Sequence, residues 1–347
     1  MSVSVAESPG TLQNLCLSYI ASKILDPAAS DGRACHGDSI VLRKSFQSPD
    51  RVFIHSGVAD LLISRMSACR TLNNETIELY QSSTTCLRHV VIRRSPVTAA
   101  GLRVLEAHKL VTLVVEPDDS KQLTVTDIIC CLSEWTVANL QSLGLNGVSF
   151  GQAGFSLCAL RNLRSLDVSR TDFNENMLQV VVDDLPLLES LDISSTSVRD
   201  VTSLTQCRTR LRRLLLYDVG LDSNSVDVLR SLSALRVLDV SLDPSSYSFS
   251  VNSLTAEGIL LEGSEFHDLV SLDISCTPDV PINSVRYQNI SHIVCNLVGL
   301  LLCSVMPKKI TLSFYYALLF GRRRIIGYGR SLFVHLLTVF ADCVKMA

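Results

Sequence analysis

One short pattern recurs down the middle of the chain and limits what it can fold into. "LRSLDVS" begins at Leu163, "LESLDIS" at Leu188, "LRVLDVS" at Leu235 and "LVSLDIS" at Leu269. Looser copies are "LRHVVIR" at Leu87, "LVTLVVE" at Leu110, "LQSLGLN" at Leu140 and "LRRLLLY" at Leu211. Successive starts are 23, 30, 23, 25, 23, 24 and 34 residues apart. In a strand, alternate side chains face opposite ways. Leu166 and Val168 therefore read as inward, and Ser165 and Asp167 as outward; Leu163, which opens the copy, also reads as inward. No single copy can cover its own apolar face, so each must stack on its neighbours.

Five of the seven intervals fall within the 20–29 residue period of leucine-rich repeats. The reading is an α/β leucine-rich-repeat solenoid of about eight repeats, each a short parallel strand, a turn and a return segment. "MLQVVVDDLPLL" has the spacing of a short return helix ending before Leu188. The polar stretch "LDPSSYSFSVNS" accounts for the 34-residue interval. The composition agrees: 47% of residues are hydrophobic but only 6% aromatic, which suits an aliphatic core better than an aromatic-lined pocket.

Asp167, Asp192, Asp239 and Asp273 repeat at one outward strand position, each beside serines, and form the candidate binding residues of the concave face. They can attract a basic partner, or they can simply solvate a sheet face. "LRRLLLY" breaks the row with Arg213 and Leu215, which separates Asp192 from Asp239.

Catalytic patterns are missing from the sequence. The seven histidines are scattered without HxxxH or HExxH spacing, and no GxGxxG, GxxxxGK[ST] or GxSxG occurs. No catalytic residue, cofactor or metal site is expected. The twelve cysteines form no CxxC pair and mostly lie in apolar runs, so they read as reduced core residues. A formal charge of −3 gives no reason to expect a nucleic-acid partner. The first twenty residues lack a basic segment followed by a long apolar run, so no signal peptide is expected. The sequons at Asn74 and Asn289 then carry no glycan, and the expected location is cytoplasm or nucleus.

Ahead of the repeats lies "TLQNLCLSYIA". Thr11 suits an N-cap, and Leu12, Leu15, Cys16, Tyr19 and Ile20 form a stripe along one helix face. Such a helix can lie in a partner's groove. Thr11, Leu12, Cys16 and Ile20 match every defined position of the elongin-binding box. Downstream, "VFIHSGVADLLISRM" places Ile54, Val58 and Leu62 at the apolar positions of a cullin box. His55 stands where that pattern has proline, a residue preorganised for a helix start. The same segment also reads as a helix that shields the open end of the first repeat.

An elongin box, a cullin-like box and leucine-rich repeats, in that order, resemble the N-terminal half of the Zyg-eleven/Zer-one family, substrate receptors of cullin-two RING ubiquitin ligases. The resemblance covers residues 10 to about 302. It implies a non-catalytic adaptor that joins elongin C, elongin B and cullin-two to protein substrates. In that family the Leu12 position anchors in an elongin C pocket, and the small Cys16 position permits close approach.

The expected domains are a helical segment over 1–80, the solenoid over 81–302 with a last apolar strand near Leu297 to Leu302, and a tail over 303–347. Family members continue into an armadillo-type domain that captures N-terminal glycine degrons. The tail does not resemble it and reads as a truncation or splice end. Its apolar runs, Ile310–Phe320 and Ser331–Ala341, are about 11 residues each, short of the ~20 that span a bilayer as a helix. Arg322 to Arg324 lie between them, and a membrane-associated hairpin is the alternative reading of this tail. For the whole chain, the second reading is a leucine-rich-repeat interaction scaffold with no ubiquitin role.

Overall fold

The computed structural model describes residues 55–81, 85–118, 123–151, 156–221, 224–242 and 268–273, together with the strand backbone of 292–294 and 311–312. Its organising element is a ten-stranded parallel sheet whose strands follow one another in chain order. They are β1 (His89–Ser95), β2 (Thr112–Pro117), β3 (Ser142–Gly144), β4 (Ser165–Asp167), β5 (Ser190–Asp192), β6 (Arg213–Leu215), β7 (Val237–Asp239), β8 (Ser271–Asp273), β9 (His292–Val294) and β10 (Thr311–Leu312). The first eight each begin two residues after the leucine that opens a repeat.

The register is set by the repeat. Leu113, Leu143, Leu166, Leu191, Leu214, Leu238 and Leu272 are partners across consecutive strands, and all are buried. The opening leucines Leu163, Leu188, Leu211, Leu235 and Leu269 are buried beneath them. Parallel neighbours need a crossover, and each repeat supplies its own. The chain is a leucine-rich-repeat solenoid. Beyond β8 the sheet continues in β9 and β10, while the strand expected near 297–302 falls outside the described residues.

A second ladder follows each strand. Gly147, Arg170, Ser195 and Asp218 occupy the same repeat position with φ of 72°, 60°, 54° and 54°. Left-handed backbone is costly for residues other than glycine. Here each of these N–H groups donates to a carbonyl one repeat ahead: Gly147 to Ser169, Arg170 to Ser194, Ser195 to Tyr217 and Asp218 to Ser241, at 2.7–3.0 Å. The hydrogen-bonded stack offsets the strain and bends every repeat at the same point.

The return segments are short helices. Between β2 and β3 lie two of them, Val125–Ile129 and Glu134–Asn139, which fill the 30-residue interval. The first is held by a reciprocal cap between Thr124 and Asp127. Between β4 and β5 the expected helix spans Glu175–Asp184, capped by Asn174, and buries Leu178, Val181 and Val182.

The first edge strand is covered by α1 (Ser56–Ala68), which packs on β1. The Ser67 hydroxyl accepts the Arg93 N–H at 2.6 Å, and the Asp60 carboxylate accepts the Arg88 N–H at 3.0 Å. The helix ends with Arg70 at φ 57°, its N–H on Ser67 O and that of Thr71 on Met66 O, which is a Schellman termination. Beneath it, His108 is buried; Nε2–H donates to Tyr80 O at 2.6 Å and Nδ1 accepts the Leu87 N–H at 3.2 Å. Burial lowers the His108 pKa, against the raising effects of the Tyr80 carbonyl and the Asp60 charge.

Candidate protein-interaction surfaces

Two surfaces are candidates, the outer side of α1 and the outward face of the sheet. Thr11, Leu12, Leu15, Cys16, Tyr19, Ile20 and Ile54 lie outside the described residues.

Helix α1 divides the cullin-box residues between two environments. Ala59, Leu62, Ile63 and Met66 point into the repeat core, with Leu62 only 4% exposed. Val58 and Leu61 lie on the other side, 42% and 44% exposed. Leu62, expected to meet a partner, is thus held by the chain's own core; the outward apolar pair is Val58 with Leu61. The reason is the edge of the stack, since an uncovered β1 would expose the cross-section of the first repeat. The sequence spacing fits both arrangements, because residues three and four apart share a helix face.

His55 sits at the N-cap, with φ −58°, and its Nδ1 accepts the Gly57 N–H at 3.2 Å. That φ is also the one proline enforces. The departure from the box pattern therefore replaces a fixed backbone angle with a side-chain cap, and the helix start is kept.

On the sheet, Asp167 and Asp192 are partners in adjacent strands, Leu215 follows, then Asp239 and Asp273. Leu215 does separate Asp192 from Asp239, as the sequence indicates. The carboxylates are not freely solvated, however. All four are half-buried. Asp167 Oδ1 accepts from the Ser169 N–H and hydroxyl, at 2.9 and 2.5 Å. Asp192 Oδ1 accepts from the Ser194 N–H at 3.0 Å, and Asp239 Oδ1 from the Ser241 N–H and hydroxyl at 2.9 and 2.5 Å. These are local Asx-type turns that close the strand before the left-handed residue. The Asp192 pKa is raised, mainly by burial and in part by Asp167 and Asp239, while its bonds to Ser194 pull it down. The Asp row is first of all a structural element of the repeat.

A charged row missed at the sequence level lies just before the strands. Arg164, Glu189, Arg212 and Arg236 occupy the second position of successive repeats and are joined rung to rung by backbone hydrogen bonds of 2.7–2.8 Å. Glu189 pairs with Arg164 on one side and approaches Arg212 Nε at 3.7 Å on the other. Alignment of the repeats would have shown this row.

Of the cysteines expected in the core, Cys131 and Cys207 are buried, but Cys69 and Cys130 are exposed. Among the described residues no group of three His, Cys, Asp or Glu side chains is placed to hold a metal ion. Nor is any helix there long and apolar enough to cross a membrane.

With this geometry in hand, one comparison bears on kinship. Over part of its length the chain is similar to the protein zer-1 homolog. The human and Pongo abelii proteins are each 38% identical to it over 88 residues, which is 25% of this chain and 11% of theirs. No family model matches the chain. Among solved structures, an internalin C2 from Listeria monocytogenes covers 63% of this chain and 84% of its own at 20% identity and a TM-score of 0.39. The Drosophila Toll–Spatzle complex covers 63% of this chain and 29% of its own at 14% identity and a TM-score of 0.40.

Proposed function

We propose that the chain is a substrate-recognition adaptor of a cullin-two RING ubiquitin ligase, bridging elongin B/C and the cullin to target proteins and doing no chemistry itself. The observation that carries the reading is the 88-residue similarity to the zer-1 homolog. The order of an elongin-type stripe, a cullin-type helix and a leucine-rich-repeat solenoid supports it. In this reading Leu12 is the elongin anchor, Cys16 and Ile20 complete that face, and the exposed Val58 and Leu61 of α1 meet the cullin. The division of 1–80, 81–302 and 303–347 into a ligase-binding segment, a recognition solenoid and a tail is part of the same proposal, as is a cytoplasmic or nuclear setting.

The burial of Leu62 favours one other reading, a repeat scaffold with no ubiquitin role in which α1 is only a lid. A single experiment separates the two. The full chain and its Leu12→Ala, Cys16→Phe double variant are titrated with purified elongin B/C. An interface anchor is worth ~2–4 kcal/mol, so the double variant should bind on the order of 30-fold more weakly or worse. Absence of binding by the wild type, or unchanged binding by the double variant, overturns the adaptor reading.

A further inference from the structure

The arginines before strands β4 to β7 exceed their counter-charges. Arg164, Arg212, Arg213 and Arg236 are all exposed, and Glu189 is the one carboxylate paired with any of them among the described residues. It neutralises Arg164 and reaches toward Arg212. Arg213 and Arg236 have no ion-pair partner among the described residues. Arg236 stands on the rung next to Arg212, its N–H on Arg212 O at 2.7 Å. Adjacent rungs are ~4.8 Å apart, and like charges on neighbouring strands destabilise a sheet. The rim therefore carries more exposed arginines than carboxylates that pair with them, although the chain as a whole carries −3.

The surroundings leave this charge accessible. At the third repeat position, Arg213 is in register with Ser190 on one side and Val237 on the other. Ser142, Ser165 and Ser271 occupy the same position in neighbouring repeats. Shorter side chains, a serine and a valine, flank the long arginine. Two residues further along the strands on either side, ~6.6 Å away, stand Asp167, Asp192 and Asp239, while on β6 itself that position is Leu215. Their carboxylates are already bonded to Ser169, Ser194 and Ser241. The face is thus polarised, with a basic rim and an acidic line beside it.

We propose that this rim docks an acidic, extended segment of a partner protein, lying across the strands with its carboxylates on Arg212, Arg213 and Arg236. Guanidinium groups bind carboxylates through paired hydrogen bonds. The parallel Asp line repels any second row of negative charge and so favours a single line of carboxylates over a broad polyphosphate. The surface is independent of the ligase reading and would serve a scaffold equally. It differs from both sequence readings of this face, a basic partner on the Asp row or an Asp row that only solvates the sheet.

The test uses the full chain and fluorescence anisotropy, with a fluorescein-labelled decapeptide of alternating Glu and Ser. The wild type should bind it saturably. The Arg212→Ser, Arg213→Ser, Arg236→Ser triple variant should bind at least ten-fold more weakly. A control variant with the same charge change at exposed sites elsewhere, Arg103→Ser, Arg161→Ser, Arg199→Ser, should stay within two-fold of wild type. The triple variant should also melt close to wild type, because the three side chains are exposed. Equal weakening in both variants would reduce the effect to net charge and overturn the proposal, as would no wild-type binding. Tighter binding of a ten-nucleotide single strand through the same three arginines would overturn it in favour of nucleic acid.

Discussion

Leu61 and Leu62 are chemically identical neighbours on α1 that the fold has separated, and truncating each in turn measures what the helix does. Leu62 is 4% exposed and lies in the same apolar core as Ala59, Ile63 and Met66. Leu62→Ala removes three carbons at ~0.8 kcal/mol each, about 2.4 kcal/mol of transfer free energy. A cavity term adds to this, and the usual total is ~2–5 kcal/mol. Leu61 is 44% exposed, so only about half of the transfer term applies. Water fills the gap and no cavity forms, so the expected cost is about 1 kcal/mol or less. In urea unfolding followed by circular dichroism, with a slope of ~1–3 kcal/mol per molar, Leu62→Ala should lower the midpoint by about 1 M or more. Leu61→Ala should leave it nearly in place. If the adaptor reading holds, Val58→Ser with Leu61→Ser weakens cullin capture from a full-chain complex without moving that midpoint. A stable Leu62→Ala protein beside a destabilised Leu61→Ala protein would show that α1 does not cover β1 with the face described, and the capping argument would fail.

Two further substitutions test the buried polar groups. Burial holds the His108 pKa below its ordinary 6.5, so the unfolded chain binds the extra proton. Stability should be level above about pH 7 and fall as pH drops below about 6.5. His108→Leu should flatten that slope in denaturation at pH 5.5 and 7.5 and cost ~1–3 kcal/mol throughout, because the Leu87 N–H and Tyr80 carbonyl lose their partner. A retained slope would assign it to another group. Asp192 has the opposite sign: its pKa is raised above 3.8, so the charged form weighs against the fold at neutral pH. Asp192→Asn keeps an oxygen for the Ser194 N–H and should raise the melting temperature at pH 7, with the gain vanishing below about pH 3.8. A lower melting temperature at pH 7 would mean that the charge itself supports the turn.

The solenoid is written in the repeat. Position in the repeat dictates which leucines are buried, and the eight opening leucines place strands β1 to β8 to within a residue. This works because a repeat contacts only its neighbours, so a local pattern repeated in phase specifies the whole stack. The helix Glu175–Asp184 was legible for the same reason: Asn174 caps a run whose apolar spacing matches one buried helical face. Choices between neighbours of the same type emerge only from packing. Whether Leu61 or Leu62 faces inward depends on how α1 lies on the edge of β1. The state of the Asp row depends on turns that fold the Ser169, Ser194 and Ser241 groups back onto the carboxylates. Repeat alignment places the arginines in a row, but which of them reach Glu189 is decided only when separate repeats are stacked ~4.8 Å apart. The packing of α1 and the pairing of the arginines arise from distances between residues over twenty positions apart in the chain, while the Asp turns join residues only two apart and show their bonds once the strand end has folded.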